Sequence, residues 1–228
     1  MTFKAPDSLS EQIAHYLAER IIRGELKPAE RIQEQKVTQA LNVSRGSVRE
    51  ALLILERRHL VTILPRRGAH VTELDAHGVR SLCTLMAEFY ILLGNAVAQG
   101  WRQQGDLLPF LTIQQRLAAA CEREDIKSFV EESFAVMRAA YPFANNPYLQ
   151  ETVENLQPAM SRAYYLALDQ RKAEMSDFLA LFANLLEAVV ARDLARIRTV
   201  LVEYCQRSCE LVLAALAKSW PCLSPSRK

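Results

Sequence analysis

The sequence predicts a mainly α-helical protein in two parts: a small N-terminal unit of three helices and one β-hairpin, then an all-α helical bundle. Apolar residues recur at helical spacing over most of the chain. The convincing β signal is confined to residues 60–72, where two short β-branched runs flank a glycine-containing turn. Basic charge collects before that point. Residues 1–72 carry 12 Lys/Arg against 8 Asp/Glu, whereas the remainder carries 16 against 18, in a chain of net charge +2. The N-terminal third is therefore the part suited to a polyanion. The expected domains are residues 1–73 and 74–220, with a loose tail at 221–228.

Each element has its own signal. Ser8 or Ser10 can cap a first helix over 8–23, in which Leu9, Ile13, Leu17 and Ile21 repeat every four residues. Gly24 stops it, and Lys27-Pro28 makes the connection. A short helix over 33–41 is followed by a tight turn at Asn42-Val43. Ser44 then caps a helix to about Arg58. Residues 60–64 and 69–72 flank Pro65-Arg66-Arg67-Gly68 as a hairpin. Glu73 to His77 reads as a linker. Six helices follow, near 76–99, 106–122, 125–141, 147–169, 175–191 and 193–218.

Several function classes are disfavoured. No stretch is expected to reach the apolar length that spans a bilayer, and the opening MTFKAPDSLSEQ has no apolar signal core. Five cysteines at irregular spacing do not form a disulfide framework, which suits a cytoplasmic protein with reduced thiols. Cys205 and Cys209, one turn apart, read as small buried side chains rather than as metal ligands. There is no nucleophile motif, phosphate-cradling glycine loop or metal-ligand cluster, so an enzyme is not expected.

Glu34 to Glu56 carries the function. Val37, Ala40, Leu41 and Val43 give one short helix and its turn an apolar face. Val48, Ala51, Leu52 and Leu55 give the next helix an apolar stripe. Two such helices about a tight turn form a helix-turn-helix, whose second helix fits the major groove. Arg45 and Arg49 flank the stripe near that helix's start, where a guanidinium can bond guanine O6 and N7 together. Ser44 and Ser47 can donate to phosphates beside a helix N-terminus. Arg31 precedes the first of these helices, and Arg66, Arg67 and Gly68 form the hairpin tip, or wing. On periodicity alone, the arginines could equally be a solvated face.

The runs Lys27-Pro-Ala-Glu-Arg31, Asn42-Val-Ser-Arg-Gly-Ser-Val-Arg-Glu-Ala-Leu52, Leu60-Val61 and Arg67-Gly-Ala-His-Val71 resemble the GntR family of bacterial regulators in order and spacing. The resemblance implies a winged helix-turn-helix in which Arg31, Arg45 and Arg49 contact DNA, supported by Ser44, Ser47 and Gly68. Asn42 stands where the family often has Gly, and Gly46-Ser47 where it often has Thr-Pro. The later helices resemble the FadR-type (FCD) effector domain, with local echoes at Asn146-Pro-Tyr-Leu149 and Leu186–Asp193. This implies a homodimer on a short inverted-repeat operator of double-stranded DNA, acting as a metabolite-responsive repressor.

Many family members hold a divalent metal with an Asp and three His. By resemblance those positions fall on Glu131, Ala135, Phe182 and Tyr204, and the family's carboxylate-binding arginine falls on Met86. All four histidines (His15, His59, His70 and His77) lie at or before residue 77. A metal site of that kind is therefore not expected, nor any cofactor. Met86, Tyr90, Phe134, Phe182 and Tyr204 are the expected lining of an effector pocket, with Arg138 or Arg162 supplying a charge at its mouth. Such a lining favours an apolar ligand. The same side chains could instead fill the core, giving a regulator without a ligand. A third reading is a helical adaptor that binds no DNA.

Overall fold

The computed structural model describes residues 8–219; the expected loose tail from Pro221 lies outside them. Helix α1 spans Leu9–Ile22. Ser8 caps it, its Oγ accepting the Glu11 N–H at 3.2 Å. Ser10 is not a cap. It is buried and donates to Glu50 Oε2 at 2.6 Å. Helices α2 (Glu34–Leu41) and α3 (Arg45–Arg57) follow, separated by the turn read from the sequence. Asn42 makes that turn in the left-handed region, at φ 52° and ψ 49°. Asparagine tolerates this conformation better than other residues with a side chain, which explains how it stands in for glycine.

Strands β1 (Val61–Leu64) and β2 (Gly68–Val71) pair antiparallel, with Val61 opposite Val71 and Leu64 opposite Gly68. The connection after α1 does more than the sequence reading allows. Ile32 N–H donates to Ala69 O and Val71 N–H to Glu30 O, with a bridge between Arg31 and His70. Residues 30–32 thus lie along β2 through an isolated bridge beside the two-stranded sheet. The core beneath joins Ile13, Leu17 and Ile21 of α1 to Val48, Leu52 and Leu55 of α3.

The second half contains α4 (Ala76–Gly100), α5 (Leu108–Glu122), α6 (Ile126–Ala144), α7 (Pro147–Leu166), α8 (Leu168–Ala173), α9 (Met175–Val190) and α10 (Leu194–Ser219), with a 3₁₀ turn at Gln104–Leu107. The sequence reading has six helices here. The seventh arises because the stretch from 147 breaks at Ala167 (φ −101°, ψ 16°), after which α8 forms. Helix α6 continues past Pro142, which falls in its last turn, and ends on left-handed Asn145.

Among the described residues, those from 8 to 74 group with Glu154–Tyr165 of α7, and Asp75–Val153 with residues 166–219. A single boundary between 73 and 74 gives no hint of that α7 segment. Helix α4 also corrects the reading of apolar length. Its best 18-residue window has a mean hydropathy of 1.5, so by length and composition it could cross a membrane. Its apolarity has a packing explanation: Val79, Cys83, Met86, Tyr90, Leu93 and Val97 form a buried stripe, and the helix packs on α6 and α10.

Position 42 tests this local account. Asn42→Gly is expected to leave stability unchanged or raise it by up to about 1 kcal/mol. Asn42→Val, β-branched and forced to positive φ, should lower it by about 1–2 kcal/mol. Denaturant unfolding of both variants measures this, and equal stability of the two would contradict it.

Candidate DNA-reading surface and effector cavity

Helix α3 is divided cleanly by burial. Val48, Ala51, Leu52 and Leu55 are at most 2% exposed, while Arg45 and Arg49 point to solvent. Two polar ties hold the helix against α1: the Ser10–Glu50 bond, and Arg58 Nη2 to Glu11 Oε2 at 2.8 Å. Glu56 Oε1 accepts the Ile63 N–H at 2.8 Å, fastening the end of α3 to β1. The reading end of α3 is thereby set by packing and hydrogen bonds on its far side.

Ser44 caps α3, its Oγ accepting the Ser47 N–H at 3.0 Å. The two hydroxyls are themselves 2.9 Å apart. One hydroxyl proton is used between them, which leaves one to point outward. Arg49 Nε donates to Glu34 Oε2 of α2 at 3.0 Å, although the arginine side chain remains 70% exposed. The sequence reading did not identify Glu34 as its partner, because the pair is fifteen residues apart and joins two helices.

At the hairpin, the Arg67 N–H closes a turn onto Leu64 O at 3.1 Å. Arg66 (φ 62°) and Gly68 (φ 84°) both have positive φ. A Cβ added at Gly68 would lie 3.5 Å from Arg31 Nε, so the Arg31 guanidinium lies alongside the wing backbone. Arg31, Arg66 and Arg67 are all exposed. Thus Arg31 and the wing tip adjoin on one side of the hairpin, while Arg45 and Arg49 project from α3.

Among the described residues of the helical unit, the main cavity is about 850 Å³, open mouth included. Tyr90, Phe134, Phe182 and Tyr204 line it, as do Leu93, Met137 and Phe178, among other residues. Three expected residues are elsewhere. Met86 is fully buried and outside the lining. Arg138 is exposed on α6. Arg162, on α7, is 5% exposed and donates from Nη1 to Thr72 Oγ1 at 2.9 Å within the N-terminal unit. Burial pulls its pKa down to about 10, so it is still charged at neutral pH.

The register read on α6 also shifts. Glu131 is exposed and Ala135 does not line the cavity, whereas Ser133, Phe134 and Met137 do. A divalent metal does not fit this donor set. Ser133, Phe134, Met137, Phe182 and Tyr204 offer no imidazole or carboxylate, and no group of three His, Cys, Asp or Glu suited to a metal occurs among the described residues. The cysteines do not change this. Burial raises the Cys83 thiol and pushes Cys205 up to about 12, which keeps both protonated. Tyr90, also buried, is likewise held in its neutral form.

Comparison with known proteins agrees with this architecture. The family profile described as "Bacterial regulatory proteins, gntR family" matches residues 9–71, and the FCD domain profile matches residues 91–207. The HTH-type transcriptional regulator McbR of Escherichia coli K12 is 25% identical over 202 residues, covering 88% of this chain and 91% of that protein. The solved structure of E. coli McbR/YncC superposes with a TM-score of 0.77 at 23% identity, over 92% of this chain and all of that one. The E. coli HTH-type transcriptional repressor RspR is 26% identical over 162 residues, 71% of this chain and 70% of its own. The chain belongs to the GntR family of bacterial regulatory proteins, in the subgroup with an FCD domain, and is a DNA-binding transcriptional regulator rather than an enzyme.

Proposed function

We propose that the protein is a cytoplasmic repressor that binds a short inverted repeat as a homodimer and changes its DNA affinity when an apolar small molecule enters the helical unit. The observation that carries the DNA reading is the division of α3, with its inner face fixed against α1 and Arg45 and Arg49 presented at its N-terminal end. In this reading Arg45 and Arg49 contact base edges and Arg31 a base or phosphate. Ser44, Ser47, Arg66 and Arg67 contact phosphates, and Gly68 allows the wing to approach closely. One helix reads only a few base pairs, so useful specificity needs two copies. Exposed Leu85 and Leu92, two turns apart on α4, offer an apolar face for a second copy. RspR, named as a repressor, supports the sign of regulation.

The cavity supports the effector half. Its lining is aromatic and aliphatic, and it lacks the imidazoles that would hold a metal-bound acid. An unpaired carboxylate buried among these side chains would cost several kcal/mol. A pocket used only by its own side chains, and a protein indifferent to ligands, is the alternative.

For DNA, Arg45→Ala is expected to weaken operator binding by about 1–3 kcal/mol per half-site and to relax base choice. Arg66→Ala should weaken all sequences more evenly. Anisotropy titration on the operator and on scrambled duplexes distinguishes the two, with sedimentation giving two chains per site. Undiminished affinity and selectivity in Arg45→Ala would show that α3 does not read the bases.

For the effector, a thermal-shift screen should register stabilisation by acyl or aromatic compounds and none by small dicarboxylates or sugar acids. Stabilisation by the small polar acids alone would refute the apolar site, and silence throughout would favour the ligand-free alternative. Elemental analysis of tag-free protein is expected to give well under one Zn, Ni or Mn per chain. A stoichiometric ion whose removal weakens the helical unit would contradict the metal-free reading.

A further inference from the structure

Beside the main cavity lies a smaller second one, about 350 Å³ with its open mouth included, between α6, α8, α9 and α10. The two share Phe178, Leu181 and Tyr204, so these side chains are the wall between them. Aromatic contacts run across that wall. Tyr90 and Tyr204 have centroids 6.2 Å apart, Tyr204 meets Phe178 edge-on at 5.0 Å, and Phe178 meets Phe129 at 5.2 Å.

The chemistry changes across the wall. The second cavity is lined by Arg171, Arg207, Ser208, Glu174 and Asp177 as well as by Phe129. Arg207 has carboxylates beside it, Asp177 at 3.3 Å and Glu203 at 3.7 Å. Arg171 differs from it in burial. It is 5% exposed, Ser208 is 4% exposed, and Arg171 Nη1 donates to Ser208 Oγ at 3.4 Å. The Arg207 side chain is 44% exposed, so Arg171 lies deeper in this cavity than Arg207 does. Glu174 is half-buried and Asp177 exposed, so the deepest charge in this cavity is positive.

We infer that the effector is an amphipathic carboxylate, its apolar body in the main cavity and its carboxylate in the second, held by Arg171 and Ser208 beyond Tyr204. This rests on the apolar-effector reading and deepens it. A head group placed there meets a guanidinium and a hydroxyl in a site already withdrawn from water, where a charge-assisted hydrogen bond is strongest. The same arrangement makes Tyr204 and Phe178 the side chains a ligand must pass, so a small acid without an apolar body gains little by entering.

Calorimetric titration of the full chain with octanoate, octan-1-ol and octylamine, a matched series differing only at the head, tests this. Octanoate is expected to bind at least tenfold more tightly than octan-1-ol. In Arg171→Gln that ratio should fall close to one. Should Arg171→Gln fail to fold, Ser208→Ala is expected to reduce the ratio several-fold. Equal affinities for octanoate and octan-1-ol in the wild type would overturn the carboxylate site and leave the apolar cavity standing. Preference for octylamine would overturn it by assigning the head group to Glu174 and Asp177. Binding of none of the three would remove the apolar effector and the head-group site together.

Discussion

The packing of α3 against α1 is the constraint on which the DNA-reading surface depends. Ile13, Leu17 and Ile21 meet Val48, Leu52 and Leu55 in a fully buried seam, and each such side chain contributes about 1.5–3 kcal/mol by leaving water. That is far more than any single surface ion pair of the unit supplies. Orientation about the α3 axis follows from it. With positions 48, 51, 52 and 55 turned inward, Arg49 flanks the seam and Arg45, in the first turn of the helix, is exposed. The bonds Ser10–Glu50, Arg58–Glu11 and Glu56–Ile63 remove the remaining freedom to slide or tilt.

The proposed DNA contact of Arg49 is compatible with its pairing to Glu34. A pair whose arginine is mostly exposed is worth at most about 1 kcal/mol. Guanine and phosphate, which also bond guanidinium groups, compete with it on similar or better terms.

Much of the N-terminal unit was legible because each element there carries two agreeing signals, an apolar period and a cap or turn residue. Ser44 with Val48-Ala51-Leu52-Leu55 is an example, and the hairpin about Gly68 another. What escaped notice has no local signature. The strand-like pairing of residues 30–32 comes from β2, not from their own composition. The break at Ala167 divides one apolar stretch that reads as a single helix. Arg162 looks like a pocket charge in one dimension, yet its partner is Thr72, ninety residues earlier. On α6 the period was clear but its phase was not: Ser133, Phe134 and Met137 face the cavity, while Glu131 faces water.

The proposed effector half is a case of one scaffold changing the chemistry of its lining without changing its fold. A helical unit that holds a metal needs ligands projecting into a shared space from several helices. Here the space persists, but Phe182 and Tyr204 fill positions where the family resemblance places imidazoles. Replacing a polar, ion-holding lining with an apolar one removes the cost of burying charge. Buried polar character lies beside it, at Arg171 and Ser208 behind the wall of Tyr204 and Phe178. Selectivity in such a site comes from requiring two unlike parts of one molecule at once. An apolar body alone leaves the buried guanidinium with only the partners it already has, and a small acid alone leaves the larger cavity unfilled.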